Sequence, residues 1–226
     1  MIRRPPRSTL SSSSAASDVY KRQVHHNIAK ALKANIYLPR LSNHGLLEDE
    51  PLLYFTGQNY LDSAKEALAI AKKIGEKVIV ISSSTGGTLS LILGDDPQIA
   101  ALLLFGPNVE IHDSRAPLLT LPWGLQIAKL VVGSKYHIMD KITEEKKKYW
   151  TTRYRLEPTI ELQKLLETGM RKEIFKKITA PVFMGYYYKN EEEKDKVVSI
   201  PAMLRMYDQL GTPKEKKTKN DIPRGR

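Results

Sequence analysis

Residues 78–93 read VIVISSSTGGTLSLIL, and this stretch decides the fold. Val78, Ile79, Val80 and Ile81 make the short unbroken apolar run of a strand buried on both sheet faces, which predicts a strand over 77–83. A helix over 85–93 follows it directly, and Ala100 to Phe105 (AALLLF) predicts a second buried strand. Upstream, Leu61, Ala64, Ala67, Leu68 and Ala71 share one face of an amphipathic helix over 59–74, with Gly75 as its stop. Alternation of helix and strand in this order implies a parallel sheet with right-handed crossovers, the doubly wound α/β class.

Further out the same pattern continues in both directions. Val24 to Ala34 has helical spacing, and Asn35 to Leu41 alternates like a strand into the turn Ser42-Asn43-His44-Gly45. After Gly106 the regularity stops: residues 107–178 predict helices over 122–132, 143–154 and 159–178 with no clear strand, which suits an inserted helical cap. A core strand returns over Pro181–Tyr187. A last amphipathic helix runs over 197–210, with Ile200, Met203, Leu204 and Met206 or Tyr207 facing inward.

Composition fixes the class more than the activity. The 226 residues, 41 % of them hydrophobic, suffice for one large α/β domain. The absence of cysteine excludes disulfide frameworks, thiolate zinc sites and a cysteine nucleophile, and fits a reducing, cytoplasmic location. No run of about 18 apolar residues offers a membrane span. The formal charge of +11 sits mostly at the ends. Arg3, Arg4, Arg7, Lys21 and Arg22 oppose Asp18 at the start; Lys214, Lys216, Lys217, Lys219, Arg224 and Arg226 oppose Glu215 and Asp221 at the close, leaving +3 for the middle. That distribution does not make a basic face tracking phosphates, so no nucleic-acid partner is expected.

The two ends do not read like the domain. Residues 1–23, MIRRPPRSTLSSSSAASDVYKRQ, mix Arg, Pro and Ser without periodicity and are expected to be disordered. They resemble the translated read-through of a sequencing adapter rather than a native segment. The domain is therefore placed at 24–213. The polar tail 214–226 is expected to be disordered or frameshifted, since one codon set for Asn220–Arg226 reads Thr-Ile-Phe-Pro-Glu-Asp in its +1 frame. Resequencing native DNA through both junctions distinguishes these origins.

The chemistry lies in Ser82-Ser83-Ser84-Thr85-Gly86-Gly87, a G-x-S-x-G-like pattern with Ser82 at the first glycine position, set between a buried strand and a helix. A tight strand-to-helix turn needs small residues two before and two after a nucleophile; Ser82 and Gly86 supply them, and Gly87 lets the helix lie close. Ser84 is the candidate nucleophile, and the Thr85 amide, at the helix start, the candidate oxyanion donor. The competing reading is a plain helix cap, since Ser and Thr are preferred N-cap residues. The phosphate-loop spacing G-x-x-x-x-G-K-[ST] is absent.

With these residues the chain resembles the α/β-hydrolase family, in its capped carboxylesterase and monoacylglycerol-lipase-like branch, from about Val24 to Pro213. The resemblance also rests on YLPRLSNHG (37–45), similar to the family's strand and G-H-G turn with Asn43 in place of a glycine, where His44 would be structural. APVFMG (180–185) is similar to the strand before the catalytic acid, and Asp195-Lys196-Val197-Val198 to the acid with its apolar pair. The resemblance implies a small-molecule acyl ester as substrate, Asp195 as the acid orienting a histidine, and no metal or cofactor. The loop before Asp195 is long for the family, so Glu191, Glu192 or Glu193 stay open as alternatives, as does a solvated acidic loop.

The family's triad runs Ser, acid, His in chain order, yet no histidine follows His137; the five are His25, His26, His44, His112 and His137. The strand and loop that give the second oxyanion donor should precede Val24. The chain as written is therefore expected to be a piece of a serine esterase with negligible activity. Two other readings stay open: a non-catalytic acyl-binding relative of the same fold, and a basic nucleic-acid module. Leu118, Leu119, Leu121, Trp123 and Leu125 suggest either an apolar acyl pocket or ordinary core packing.

Overall fold

The computed structural model of the chain describes residues 8–12, 19–44, 50–138 and 152–222. Its centre is β3 (Val78–Ser83), whose Val78, Val80 and Ile81 are buried as the unbroken apolar run requires. Around it lies a six-stranded sheet in the order β2-β1-β3-β4-β7-β8, made of β1 (Ser8–Ser12), β2 (Ile36–Tyr37), β4 (Ile99–Phe105), β7 (Val182–Tyr186) and β8 (Lys217–Asp221). Every pair of neighbours is parallel. The register sets Ser83 beside Phe105 and Phe105 beside Gly185, so β3, β4 and β7 end level with one another. In open parallel sheets the carboxyl ends of the strands are where ligands bind.

Helices flank the sheet for reasons legible in their ends. α1 spans Val19–Ala31. α2 (Gly57–Ile74) starts where Thr56 Oγ1 accepts the Asn59 amide at 3.0 Å and stops where the Gly75 amide donates to Ala71 O at 3.1 Å. It buries Tyr60, Ala64, Ala67, Leu68 and Ala71. α3 (Thr85–Ile92) follows β3 without a linker. The final helix, α7 (Ile200–Gln209), is capped by Ser199 Oγ, which accepts from the Ala202 amide at 3.3 Å, and has Pro201 in its first turn. It packs Ile200, Met203, Met206 and Tyr207 against Leu102, Leu104, Val182 and Met184 of the sheet in one core cluster. Full burial of each such side chain stabilises by about 1.5–3 kcal/mol as an upper estimate.

Between β4 and β7 the chain forms the cap region: a 3₁₀ turn (Ala116–Thr120), α4 (Gly124–Val132), β5 (Tyr136–Ile138), β6 (Arg153–Arg155), α5 (Glu157–Gly169) and α6 (Lys172–Phe175). Arg155 holds this region to α5 through a bidentate bond, its Nη2 lying 2.7 Å from Glu157 Oε1 and its Nε 3.0 Å from Oε2. Lys129 of α4 reaches the same carboxylate at 3.1 Å.

Several expectations are corrected. Residues 1–23 are not structureless throughout: 8–12 pair along β3 from Ser8↔Val78 to Ser12↔Ser82, and α1 begins at Val19. The physical reason is β3 itself, whose edge would otherwise present unpaired backbone groups between the sheet core and the two-residue β2. The tail is likewise ordered at 217–221, where β8 pairs with β7 from Val182↔Lys217 to Tyr186↔Asp221, although four of its five residues are exposed. The cap contains a strand pair, since β5 and β6 run antiparallel with Tyr136 opposite Arg155. The expected helix over 143–154 falls outside the described residues up to 151 and meets β6 at its end. The single helix over 159–178 is two, broken at Met170 and Arg171. Leu118, Leu121 and Trp123 are exposed, so these three line neither a closed pocket nor a core. Among the described residues no helix is long and apolar enough to cross a membrane.

Candidate active site

The turn from β3 to α3 places Ser84 at φ 53° and ψ −125°, a conformation that non-glycine residues rarely adopt. Holding it costs on the order of 1–3 kcal/mol and persists only where the surroundings over-determine it. Ser84 occupies the N-cap position of α3, yet its side chain makes no capping hydrogen bond. A serine present for its capping value would make that bond, so the plain-cap reading loses its physical basis. The side chain is half-buried at the carboxyl end of β3.

The neighbours make the turn tight. A Cβ on Gly87 would stand 2.6 Å from Pro107 Cβ and 2.8 Å from its Cα, so α3 meets the segment leaving β4 at a distance only glycine allows. Ser82, at the position where the pattern has glycine, is almost fully buried and its hydroxyl has no partner. Thr85 is the first residue of α3, and its amide belongs to the set that finds no acceptor within the helix. Such an amide, at the positive end of the helix dipole, can receive a developing oxyanion.

Asp195 lies in the loop after β7. Its Oδ1 accepts the amides of Val197 and Val198 at 2.8 and 3.1 Å, and its own amide donates to Tyr187 O at 3.1 Å. Its Oδ2 points toward Gly106, 3.8 Å from where a Cβ there would stand. Ser84 is tied to the same place from the other side, because its amide donates to Phe105 O at 3.1 Å. The Phe105-Gly106 step therefore stands between the two candidates, and a further bond from the Gly106 amide to Gly185 O at 2.7 Å fixes it to β7.

The alternative acids are engaged elsewhere. Glu191 accepts from Tyr188 Oη at 3.0 Å and pairs with Lys194, while Glu193 pairs with Lys189 at 2.9 Å; with Glu192 they are exposed. Hydrogen bonds from Lys194 and Tyr188 hold the Glu191 carboxyl below its ordinary range.

His44 follows β2 and is structural in the manner expected of its turn. Its Nδ1 lies 2.8 Å from Ser42 O, and its ring stacks on Tyr60 with centroids 4.9 Å apart. Burial lowers its pKa below 6.5 against the opposing pull of the Ser42 carbonyl. Asn43, where the resemblance has a glycine, takes φ 58°, which asparagine tolerates better than most residues. Gly45 lies outside the described residues. His112 is exposed on the segment leaving β4, with its amide bonded to Val197 O at 3.0 Å, and His137 packs on Tyr154 in the cap strands.

One participant escaped the sequence reading. Asn108, buried just beyond β4, donates its amide to Ser84 O at 2.9 Å. The Gly106-Pro107 pair marks a turn directly after a buried strand and was the available signal. Among the described residues no group of three or more His, Asp or Glu side chains could hold a metal ion.

No protein-family model and no curated protein matches the sequence. Solved structures match over nearly the whole chain. One of the metagenome-derived lipolytic enzymes LipS and LipT superposes with a TM-score of 0.73 at 13% identity, covering 95% of this chain and 82% of its own. A monoacylglycerol lipase from Paleococcus ferrophilus gives 0.63 at 11% identity, covering 96% and 84%. The mouse alpha/beta hydrolase domain-containing protein 10 gives 0.59 at 18%, covering 98% and 80%. The chain has the α/β-hydrolase fold, and lipases and esterases are among its structural neighbours.

Proposed function

We propose that the chain carries the site of a serine hydrolase acting on carboxylic esters, with Ser84 as nucleophile, the Thr85 amide as one oxyanion donor and Asp195 as the acid. The observation that carries this reading is the backbone of Ser84: a strained, uncapped serine between a buried strand and a helix is what presentation of a nucleophilic hydroxyl requires. The location of Asp195 beyond the neighbouring strands supports it, with one oxygen held by amides and the other toward Gly106.

In this reading a base removes the Ser84 Oγ proton as Oγ attacks the acyl carbonyl, and the carbonyl oxygen gathers its charge at the Thr85 amide. Collapse breaks the bond to the alcohol oxygen, which takes the proton back from the base. Water then repeats the sequence on the acyl-Ser84 ester and releases the carboxylic acid. Asp195 serves by orienting an imidazole, and no histidine follows it in this sequence. Without that base Ser84 keeps its proton, so the chain as given has negligible turnover. A second reading is an acyl-binding protein of the same fold that retains the site without chemistry.

Free imidazole tests the two against each other. The expected outcome is negligible hydrolysis of an aryl acetate in plain buffer, then covalent labelling of Ser84 by a fluorophosphonate once imidazole is added, mapped by peptide mass and lost in Ser84→Ala. Labelling that is equal in Ser84→Ala, or none at Ser84 with imidazole present, defeats the hydrolase reading.

A further inference from the structure

Ser84's backbone must be held against its own preference, and two of the three holding contacts come from one short segment. The Ser84 amide donates to Phe105 O at 3.1 Å, and Ser84 O accepts from the Asn108 amide at 2.9 Å and from the Gly87 amide at 2.8 Å. Residues 105–108 thus grip both sides of the serine. What fixes residue 108 is Thr88, which is fully buried and whose Oγ1 donates to Asn108 O across 2.5 Å.

That bond is unusual for a helical threonine. A serine or threonine inside a helix ordinarily returns its hydroxyl to the carbonyl four residues back, and Ser90 does so, donating to Gly86 O at 2.9 Å. The carbonyl four residues before Thr88 is that of Ser84, already taken by two amides. Thr88 instead reaches out of the helix to the segment leaving β4. Asn108 is therefore pinned at both backbone groups, its carbonyl by Thr88 and its amide by Ser84.

We infer that Thr88 is a positioning residue for Ser84: through Asn108 its hydroxyl clamps the turn that keeps Ser84 in its strained backbone. The inference rests on the proposed role of Ser84 for its functional meaning, while the clamp itself is a property of the fold. Thr88→Val keeps the shape and removes the donor, leaving a buried carbonyl unpaired; Thr88→Ser restores the donor.

Amide hydrogen exchange and thermal melts of the full chain test it. In T88V the Asn108 amide should exchange about tenfold faster than in the parent, the size of effect one lost buried hydrogen bond carries. The Leu102 amide, bonded to Pro181 O within the sheet, should be unchanged, and T88S should restore Asn108. Ser84→Gly should raise Tm by about 2–4 °C in the parent by releasing strain, and by clearly less in the T88V background where the turn has already relaxed. If T88V does not fold, Thr88→Cys, a similar-sized but weak donor, carries the same comparison. Asn108 exchange unaltered by removal of the hydroxyl, or an equal gain from S84G in both backgrounds, overturns the inference. Imidazole-dependent labelling slowed in T88V and rescued in T88S supports the functional meaning. A Ser84 that never labels while the coupling persists refutes the hydrolase reading and leaves the clamp standing.

Discussion

His44 shows how a single side chain can be read correctly in kind and still gain its energetics only from the fold. The turn pattern marked it as structural, but its neighbour Tyr60, sixteen positions on, is brought against the ring by α2. Burial lowers its pKa, so the folded chain favours neutral imidazole while the unfolded chain titrates near 6.5. The unfolded state then binds more protons as pH falls below about 6.5, and stability is fully present above that value and declines down to the folded pKa. The carboxyls of Asp113 and Glu157, held at about 2 by Arg155 for Glu157 and Arg115 for Asp113, lose their stabilisation only at more acid pH, so they leave this window clear. Thermal melts should show Tm falling between pH 7 and pH 5. His44→Phe, which keeps the stack on Tyr60 and cannot titrate, should flatten that fall. A fall of the same size in both proteins would assign it to other groups. The turn at Ser84 was legible for a different reason: the strand, the small residues and the helix that define it are all contiguous, so local sequence carried its geometry. Asn108 was not, because its role exists only once β4 lies beside β3.

At the scale of elements, contiguity again divides what the sequence told from what it withheld. β3, α3, β4, β7 and α2 form where their apolar spacing predicts, since each buries its own pattern. β1 and β8 carry almost no pattern, Ser-Thr-Leu-Ser-Ser and Lys-Thr-Lys-Asn-Asp, and their backbones pair with β3 and β7, with the β8 side chains mostly exposed. The cap strands were missed because three residues each, Tyr136–Ile138 and Arg153–Arg155, are too short to show a period. The packing of α3 gives a sharp prediction at this scale. A methyl at Gly87 meets the Pro107 backbone and ring, neither of which can rotate away. Gly87→Ala should therefore separate α3 from the β4 exit and lower Tm by on the order of 5 °C, the result of about 1–3 kcal/mol of overpacking. Gly133, at φ 68° with nothing within 4 Å of a built Cβ, should by contrast accept Asn with little change. A Gly87→Ala protein as stable as its parent would mean that the helix and the segment after β4 are not in contact.

Over the whole molecule, apolar side chains are distributed unevenly. One core cluster joins the sheet to α2 and α7 and a second lies around Tyr60 and Leu89, yet Leu118, Leu121, Trp123, Ile127, Leu130, Val131, Val132 and Ile138 are all exposed within one stretch of the cap region. On α4 only Gly124 is buried, and Leu130 and Val131 are 83% and 67% exposed. The pocket or core expected of Leu118, Leu119, Leu121, Trp123 and Leu125 lies just before and at the start of this helix, and apolar spacing reports that a face is apolar and not what covers it. Side chains this open add little to the burial that holds the fold, and exposed apolar side chains in such number favour association over solution. Leu130→Gln with Val131→Gln should then leave Tm within about 1 °C of the parent, as surface substitutions do, since neither residue contributes to either core cluster. The same pair should weaken binding of an apolar fluorescent dye and raise the precipitant concentration at which the protein leaves solution. A substantial fall in Tm would instead show that α4 packs this face against another part of the protein in solution.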